Sequence, residues 1–225
     1  MKNIIEFLSQ LKENNNRDWF TENKALYKEK EKEFNAFTEK LIEGISKFDP
    51  AIKNLTAKDC TFRIYRDVRF SPNKEPYKTH MAAYICPNGK KSGLAGYYFH
   101  VEAPESNYIG GHLLATGIHS PEPKVLQSIR EEILDNGDAF IKAVKHAKGF
   151  ELDESSKLKK IPKDFPQDYK HAEYLKLKNY SLMKFVSNDF LLSENLLENC
   201  LIEFKKSLEF NHILNRAANF AFEEI

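Results

Sequence analysis

The chain is poor in the residues that usually announce a chemistry. Only three cysteines occur among its 225 residues, and Cys60, Cys86 and Cys200 stand too far apart for a zinc-type pair. An odd, scattered count argues against a disulfide framework and fits reduced thiols, so a cytoplasmic location is expected. Nine glycines are too few and too scattered for a phosphate-cradling P-loop or a dinucleotide fingerprint, and no cofactor is predicted. No apolar run reaches the roughly 18 residues that a membrane span needs, so no membrane partner is expected. The opening Met1-Lys2-Asn3-Ile4-Ile5-Glu6 turns charged too soon for the apolar core of a signal peptide. A Gly-x-Ser-x-Gly nucleophile elbow is missing, as are internal repeats and low-complexity tracts. An excess of one charge is missing too. Lys and Arg number 34 against 33 Asp and Glu, a net charge of +1, which excludes a polybasic coat or an acidic tail.

What is present points to a folded chain. Aromatics make up 12 % of it, with seventeen Phe, and such a composition excludes disorder. The length fits one domain, 1–225, able to bury a core without staples. N-terminal helices are expected over 1–57. The first covers residues 3–11, with Ile4, Ile5, Leu8 and Leu11 on one face. A long second helix runs from about Arg17 to Phe48, N-capped by Asn16 and apolar at spacings of three and four. Strands are expected over 58–116. In Thr61 to Phe70 the two parities separate, with Phe62, Ile64, Val68 and Phe70 on one face and Arg63, Tyr65, Asp67 and Arg69 on the other. Met81–Cys86, Leu94–Glu102 and Tyr108–Ala115 read as three more strands. No crossover helix lies between them, so the sheet should be antiparallel. Helices are expected over 117–148, starting at Ser120-Pro121-Glu122 and interrupted at Asn136-Gly137. An irregular, lysine-rich arm with a short strand at 182–186 should occupy 149–190, and a C-terminal helix capped by Ser193 should occupy 191–225. The predicted fold is α+β, a single domain with a mainly antiparallel sheet of four to six strands, covered on one face by the N- and C-terminal helices.

Charge is distributed less evenly than the total suggests. Residues 58–80 carry six basic and three acidic side chains, while 151–225 carry eleven basic and thirteen acidic ones. In the basic segment Asp67 stands between Arg63 and Arg69 and could hold both guanidinium forks for an anion. Arg66, Lys74 and Lys78 add charge, Tyr77 adds a hydroxyl, and His80 is the nearby candidate for acid–base work near neutral pH. The same residues could form a structural ion-pair ladder across a sheet.

Several stretches together resemble a known family, the domain of unknown function DUF2461. They are Asn16–Phe20, Phe62–Ser71, Lys74–His80, Gly96–His100, Gly110-Gly111, Leu158–Phe165 and Glu173–Lys178. The resemblance implies an α+β domain, found mostly in bacteria and cytosolic, and implies no activity. Where the family often continues the glycine pair with another glycine, this chain has His112.

A signature made of charged strand and loop residues favours a binding surface. The expected ligand is therefore a small anion bearing phosphate or carboxylate, held by Arg63, Arg66, Asp67, Arg69, Lys74, Tyr77 and Lys78, with or without catalysis by His80. A nucleic-acid-binding module is the alternative, since basic and aromatic side chains alternate here, although the near-neutral total charge weighs against it. An interaction domain with a purely structural arginine ladder is a third reading. A weaker metal alternative joins His100, Glu102 and His112, on the assumption that Tyr98 pairs with His112 across two strands.

Overall fold

A computed structural model describes residues 1–106 and 108–223. Residues 224 and 225 of the expected C-terminal segment lie outside them. In chain order the elements are α1 (Lys2–Glu13), α2 (Arg17–Glu22), α3 (Lys24–Ser46), a 3-10 turn (Pro50–Ile52), α4 (Ala57–Cys60), β1 (His80–Ile85), β2 (Gly96–Glu102) and β3 (His112–Ile118). They continue with α5 (Pro123–His146), β4 (Glu151–Leu152), α6 (Ala172–Leu175), β5 (Tyr180–Val186), α7 (Asn188–Leu192), α8 (Leu196–Lys205) and α9 (Leu208–Glu223). Among the described residues the strands form one antiparallel sheet in the order β1-β2-β3-β5-β4, giving the expected α+β class.

Strand register decides what each sheet face offers. Met81, Ala83 and Ile85 of β1 share a face with Tyr97, Phe99 and Val101 of β2, and with Leu114 and Ile118 of β3. Tyr180 and Leu182 of β5 continue that face. Its first half packs under α1, α3 and α8, and its second half under α5 and α9. The helices thus crowd onto one side. The other side carries His80, Ala82 and Tyr84, then Tyr98, His100 and Glu102, then Leu113 and Ala115, then Phe185 and Met183.

Three polar contacts shape the helices in ways the periodic pattern does not describe. Asn16 does cap α2, accepting from Trp19 N at 3.0 Å, but Asn23 then turns its amide back onto Trp19 O and separates α2 from α3. Between α8 and α9, buried Ser207 donates to Phe204 O, and Thr116 Oγ1 donates to Asn211 Oδ1 at 2.8 Å. This polar knot lies between the two halves of the core and splits the expected C-terminal helix. At Asn136 the backbone of α5 leaves helical geometry. The Tyr169 hydroxyl enters the helix ladder there, donating to Ile133 O at 2.6 Å and accepting from Gly137 N–H. The Asn136-Gly137 pair therefore bends a helix instead of ending it. The arm holds two short pieces of regular structure, β4 and α6.

The expected strand over 61–70 is not formed. Two isolated bridges, Thr61 with Ala83 and Tyr65 with Tyr77, tie the segment to the sheet edge. Four residues separate Thr61 from Tyr65, but six separate Tyr77 from Ala83, so the register slips between the bridges. Pro76 lacks an N–H and the segment is dense in charge, which together suit an irregular edge better than a ladder. Ile64 is the deeply buried member of the expected apolar face, whereas Phe62 is 41 % and Phe70 94 % exposed.

Candidate functional site

The basic segment becomes a hairpin-like excursion whose inner end is fixed to the core. Asn15, at the corner between α1 and α2, grips both backbone groups of Tyr77. Its Nδ2 donates to Tyr77 O at 3.0 Å, and its Oδ1 accepts from Tyr77 N at 3.1 Å. Arg66 N donates to Pro76 O and Lys78 N to Ile64 O, so both arms stay paired up to this point.

Beyond it, the expected ligand residues separate. Arg69 is engaged with Asp67 through two hydrogen bonds and is exposed. That bond holds the Asp67 carboxyl below its usual range, and Arg63 adds to the effect. Asp67 is thus a partner for Arg69 and not a clamp for both arginines. Arg66 donates to Glu75 O at 3.2 Å and to Ser71 Oγ at 3.3 Å, bracing the loop from inside. Lys74 donates to Val68 O at 3.1 Å and does the same from the opposite strand of the loop. Tyr77 belongs to the core, with its ring stacked on Phe20 at 3.8 Å and 15°. Its side chain is not available to a ligand in the way the sequence suggests.

Two cations are left. Among the described residues neither the Arg63 guanidinium nor the Lys78 ammonium has a hydrogen bond or an ion pair. Lys78 is half-buried, with its ammonium 5.5 Å above the Phe62 ring. Burial and the nearby Arg63 both push its pKa down. His80 sits next to them, but it cannot work as an acid near neutral pH. Burial, His100 and Lys78 push its imidazole down to about 3, so it is neutral, and its Nδ1 is buried without a partner. Its ring is stacked 4.2 Å from Tyr108 and 4.7 Å from His100.

His100 opens onto the polar stripe of the helix-free face. Tyr98 Oη lies 2.9 Å from His100 Nδ1, and His100 Nε2 lies 3.1 Å from Glu102 Oε2. His100 and Glu102 are wholly buried. The Glu102 carboxylate also accepts from the backbone N–H groups of Tyr108, Ile109 and Gly111. Burial alone would raise its pKa, but hydrogen bonds from His100, Ser106 and Tyr108 outweigh that and hold it down at about 2. The phenol of Tyr98 is pushed up by burial, then by Tyr108 and Glu102. Strand alternation places Tyr98, His100 and Glu102 on one face from sequence alone. The cage of backbone donors around Glu102 depends on a loop that alternation does not describe.

The metal alternative loses its third member through register. His100 pairs with Leu113 and Tyr98 with Ala115, three residues beyond the assumed Tyr98–His112 pairing. An odd shift moves His112 to the helix-covered face. There its Nδ1 accepts from Glu102 N at 3.1 Å, and its Nε2 lies 2.8 Å from Asn188 Oδ1. Among the described residues no three His, Cys, Asp or Glu side chains converge as a metal site, and no helix is long and apolar enough to cross a membrane.

No curated protein and no solved structure matches the chain. One family model does, over residues 3–212, nearly the whole sequence and all of the elements that build this face. The chain therefore belongs to the family described as a conserved hypothetical protein, DUF2461.

Proposed function

We propose that the helix-free face, at the edge bearing Arg63 and Lys78, binds a small anion carrying phosphate or carboxylate. The unpaired Arg63–Lys78 couple carries this reading. Two like charges close enough to depress the Lys78 pKa raise each other's energy, and Lys78 is also partly stripped of water. An anion between them removes both costs. A guanidinium offers it a planar fork, and an ammonium offers a point charge. Phe62, which contacts both Lys78 and the Tyr98 ring, supplies an apolar wall for the rest of the ligand. The reading takes the protein as cytoplasmic, in keeping with three free, buried cysteines.

Thermal shift with inorganic phosphate, pyrophosphate and citrate tests it. A ligand at about a hundredfold over its dissociation constant adds roughly 2.7 kcal/mol of stability. Arg63→Ala and Lys78→Ala should each cut the shift to about half or less, as a tenfold or greater loss of affinity does, and remain folded. Absence of a shift with all three anions, or a shift undiminished by both substitutions, overturns the reading.

A second reading, a single-stranded nucleic-acid surface, draws on the exposed tip of the loop. Phe70 is 94 % exposed with the Arg69 guanidinium 5.8 Å from its ring, and Tyr65 is 43 % exposed. Affinity for oligonucleotides that falls steeply with salt and is lost in Phe70→Ala would favour it.

A further inference from the structure

The chain of hydrogen bonds from Tyr98 through His100 to Glu102 has a fixed direction, and the direction gives it a chemistry. Glu102 gathers donors from His100 and from three backbone N–H groups while wholly buried. A carboxylate in such a cage is ionised and only accepts. His100 Nε2 must then carry the hydrogen that it shares with Glu102. Because a neutral imidazole has one N–H, Nδ1 of the neutral His100 side chain is a bare lone pair. The Tyr98 hydroxyl, 2.9 Å away, therefore donates to it.

The chain also runs from outside to inside. Tyr98 is partly exposed on the helix-free face, whereas the two groups behind it are fully enclosed. A purely structural role for the pair explains how Glu102 pins the 108–111 loop. It does not explain why the imidazole faces the hydroxyl of a half-buried tyrosine. His80, stacked on His100, is an uncharged neighbour whose Nδ1 has no partner, so it leaves His100 as the one base in line. A hydroxyl with a base behind it, and a buried carboxylate orienting that base, is the constellation of an activated nucleophile.

We propose that Tyr98 is a catalytic hydroxyl that takes an acyl or phosphoryl group from the anionic substrate, with His100 as its base and Glu102 as the positioning residue. The proposal rests on the anion-binding reading for where the substrate sits, beside Arg63 and Lys78. In the first step the phenolic oxygen bonds to the acyl carbon or phosphorus while its proton passes to His100 Nδ1. The bond to the leaving group then breaks, and the leaving group takes the proton from His100. Glu102 steadies the transient imidazolium, and no oxidant or other co-reactant is consumed.

A neutral electrophile tests the hydroxyl without a known substrate. Phenylmethanesulfonyl fluoride forms an oxygen–sulfur bond with an activated hydroxyl, releasing fluoride while the proton goes to the base. The full chain is treated with it near neutral pH and the labelled tyrosines are mapped by mass spectrometry. Tyr98 should react about tenfold faster than Tyr65 and Tyr108, which are 43 % and 64 % exposed but whose hydroxyls make no hydrogen bond to an imidazole among the described residues. Glu102→Gln should slow Tyr98 by about tenfold or more, because the amide donates to Nε2 and forces the proton onto Nδ1. Nitrogen-15 shifts of His100 should show the proton on Nε2 in the wild type and on Nδ1 in the variant. Labelling of Tyr98 no faster than of Tyr65 and Tyr108 overturns the proposal, as does a wild-type His100 with its proton on Nδ1. If Glu102→Gln does not fold, the wild-type tautomer and rate ratio decide alone. Saturating inorganic phosphate should slow the labelling of Tyr98. Fast labelling without this protection overturns the anion site and leaves the activated hydroxyl standing.

Discussion

Arg69 holds Asp67 at two points, with Nε 3.0 Å from Oδ1 and Nη2 2.7 Å from Oδ2. The pair closes on itself in solvent, so Arg69 has little left for a ligand near Lys78. Arg69→Ala is expected to leave the phosphate response close to that of the wild type. Arg63→Ala should weaken it by about tenfold or more, the usual scale for losing one hydrogen bond to a charged group. Thermal-shift titrations of the two variants decide this. A loss confined to Arg69→Ala would move the anion out to the loop.

Acid should weaken the fold before the carboxylates titrate. His80 titrates near 6.5 when unfolded and near 3 when folded. The folded state therefore refuses a proton that the unfolded chain accepts. Its contribution is fully present above pH 6.5 and is lost as pH falls from there toward 3. Each pH unit of that window is worth up to about 1.4 kcal/mol. Glu102 adds a second loss, between its ordinary value of about 4.5 and about 2. Urea midpoints at pH 8, 6.5, 5 and 4 should fall steadily below 6.5 in the wild type. His80→Phe, which keeps a ring in the stack, should fall less. Parallel curves would show that His80 is not held neutral.

Tyr77 should behave as a core residue in spite of its place in the basic run. Its ring is 6 % exposed and lies flat on Phe20. Tyr77→Ala is expected to cost about 3–5 kcal/mol, the range for emptying a large aromatic site. Tyr77→Phe should change neither phosphate binding nor stability by much. Chemical denaturation with and without phosphate separates the two roles.

Gly117 marks the tightest crossing in the sheet. Its φ is +100°, and a Cβ there would meet the Tyr180 carbonyl oxygen at 2.0 Å. The same residue's carbonyl accepts from the Tyr84 hydroxyl at 2.7 Å, so displacement would spoil that bond as well. Gly117→Ala should destabilise the protein by about 3 kcal/mol or prevent its accumulation. A denaturation midpoint close to the wild type would refute this.

Much of this architecture was legible in the sequence where a residue's surroundings are its own chain neighbours. The apolar stripes of α1, α3 and α5, the Asn16 cap and the alternation of Tyr98, His100 and Glu102 all follow from local spacing. The losses occur where distant residues decide. Tyr169 enters α5 from more than thirty positions away, so Asn136-Gly137 reads as a stop when it is a bend. His112 depends on a register that the turn before β3 sets, and a shift of three residues reverses its face. The 61–70 run shows strand alternation because its charges line an irregular edge, and alternation alone does not tell an edge from a ladder. In the candidate site the cluster of charge was visible, but not which cations would be left unpaired. That depends on Asp67, Glu75, Ser71 and the Val68 carbonyl all finding partners within one loop.

The grip of Asn15 on Tyr77 divides the basic segment mechanically. Arg63 and Lys78 lie on the inner side of that anchorage, next to the core. Everything from Asp67 to Glu75 hangs outside it as a tether with its own internal bonds. Lengthening, shortening or reshaping the tether is absorbed beyond the anchor, so the inner cations keep their spacing. The outer loop can thus change in length and shape without moving the two inner cations.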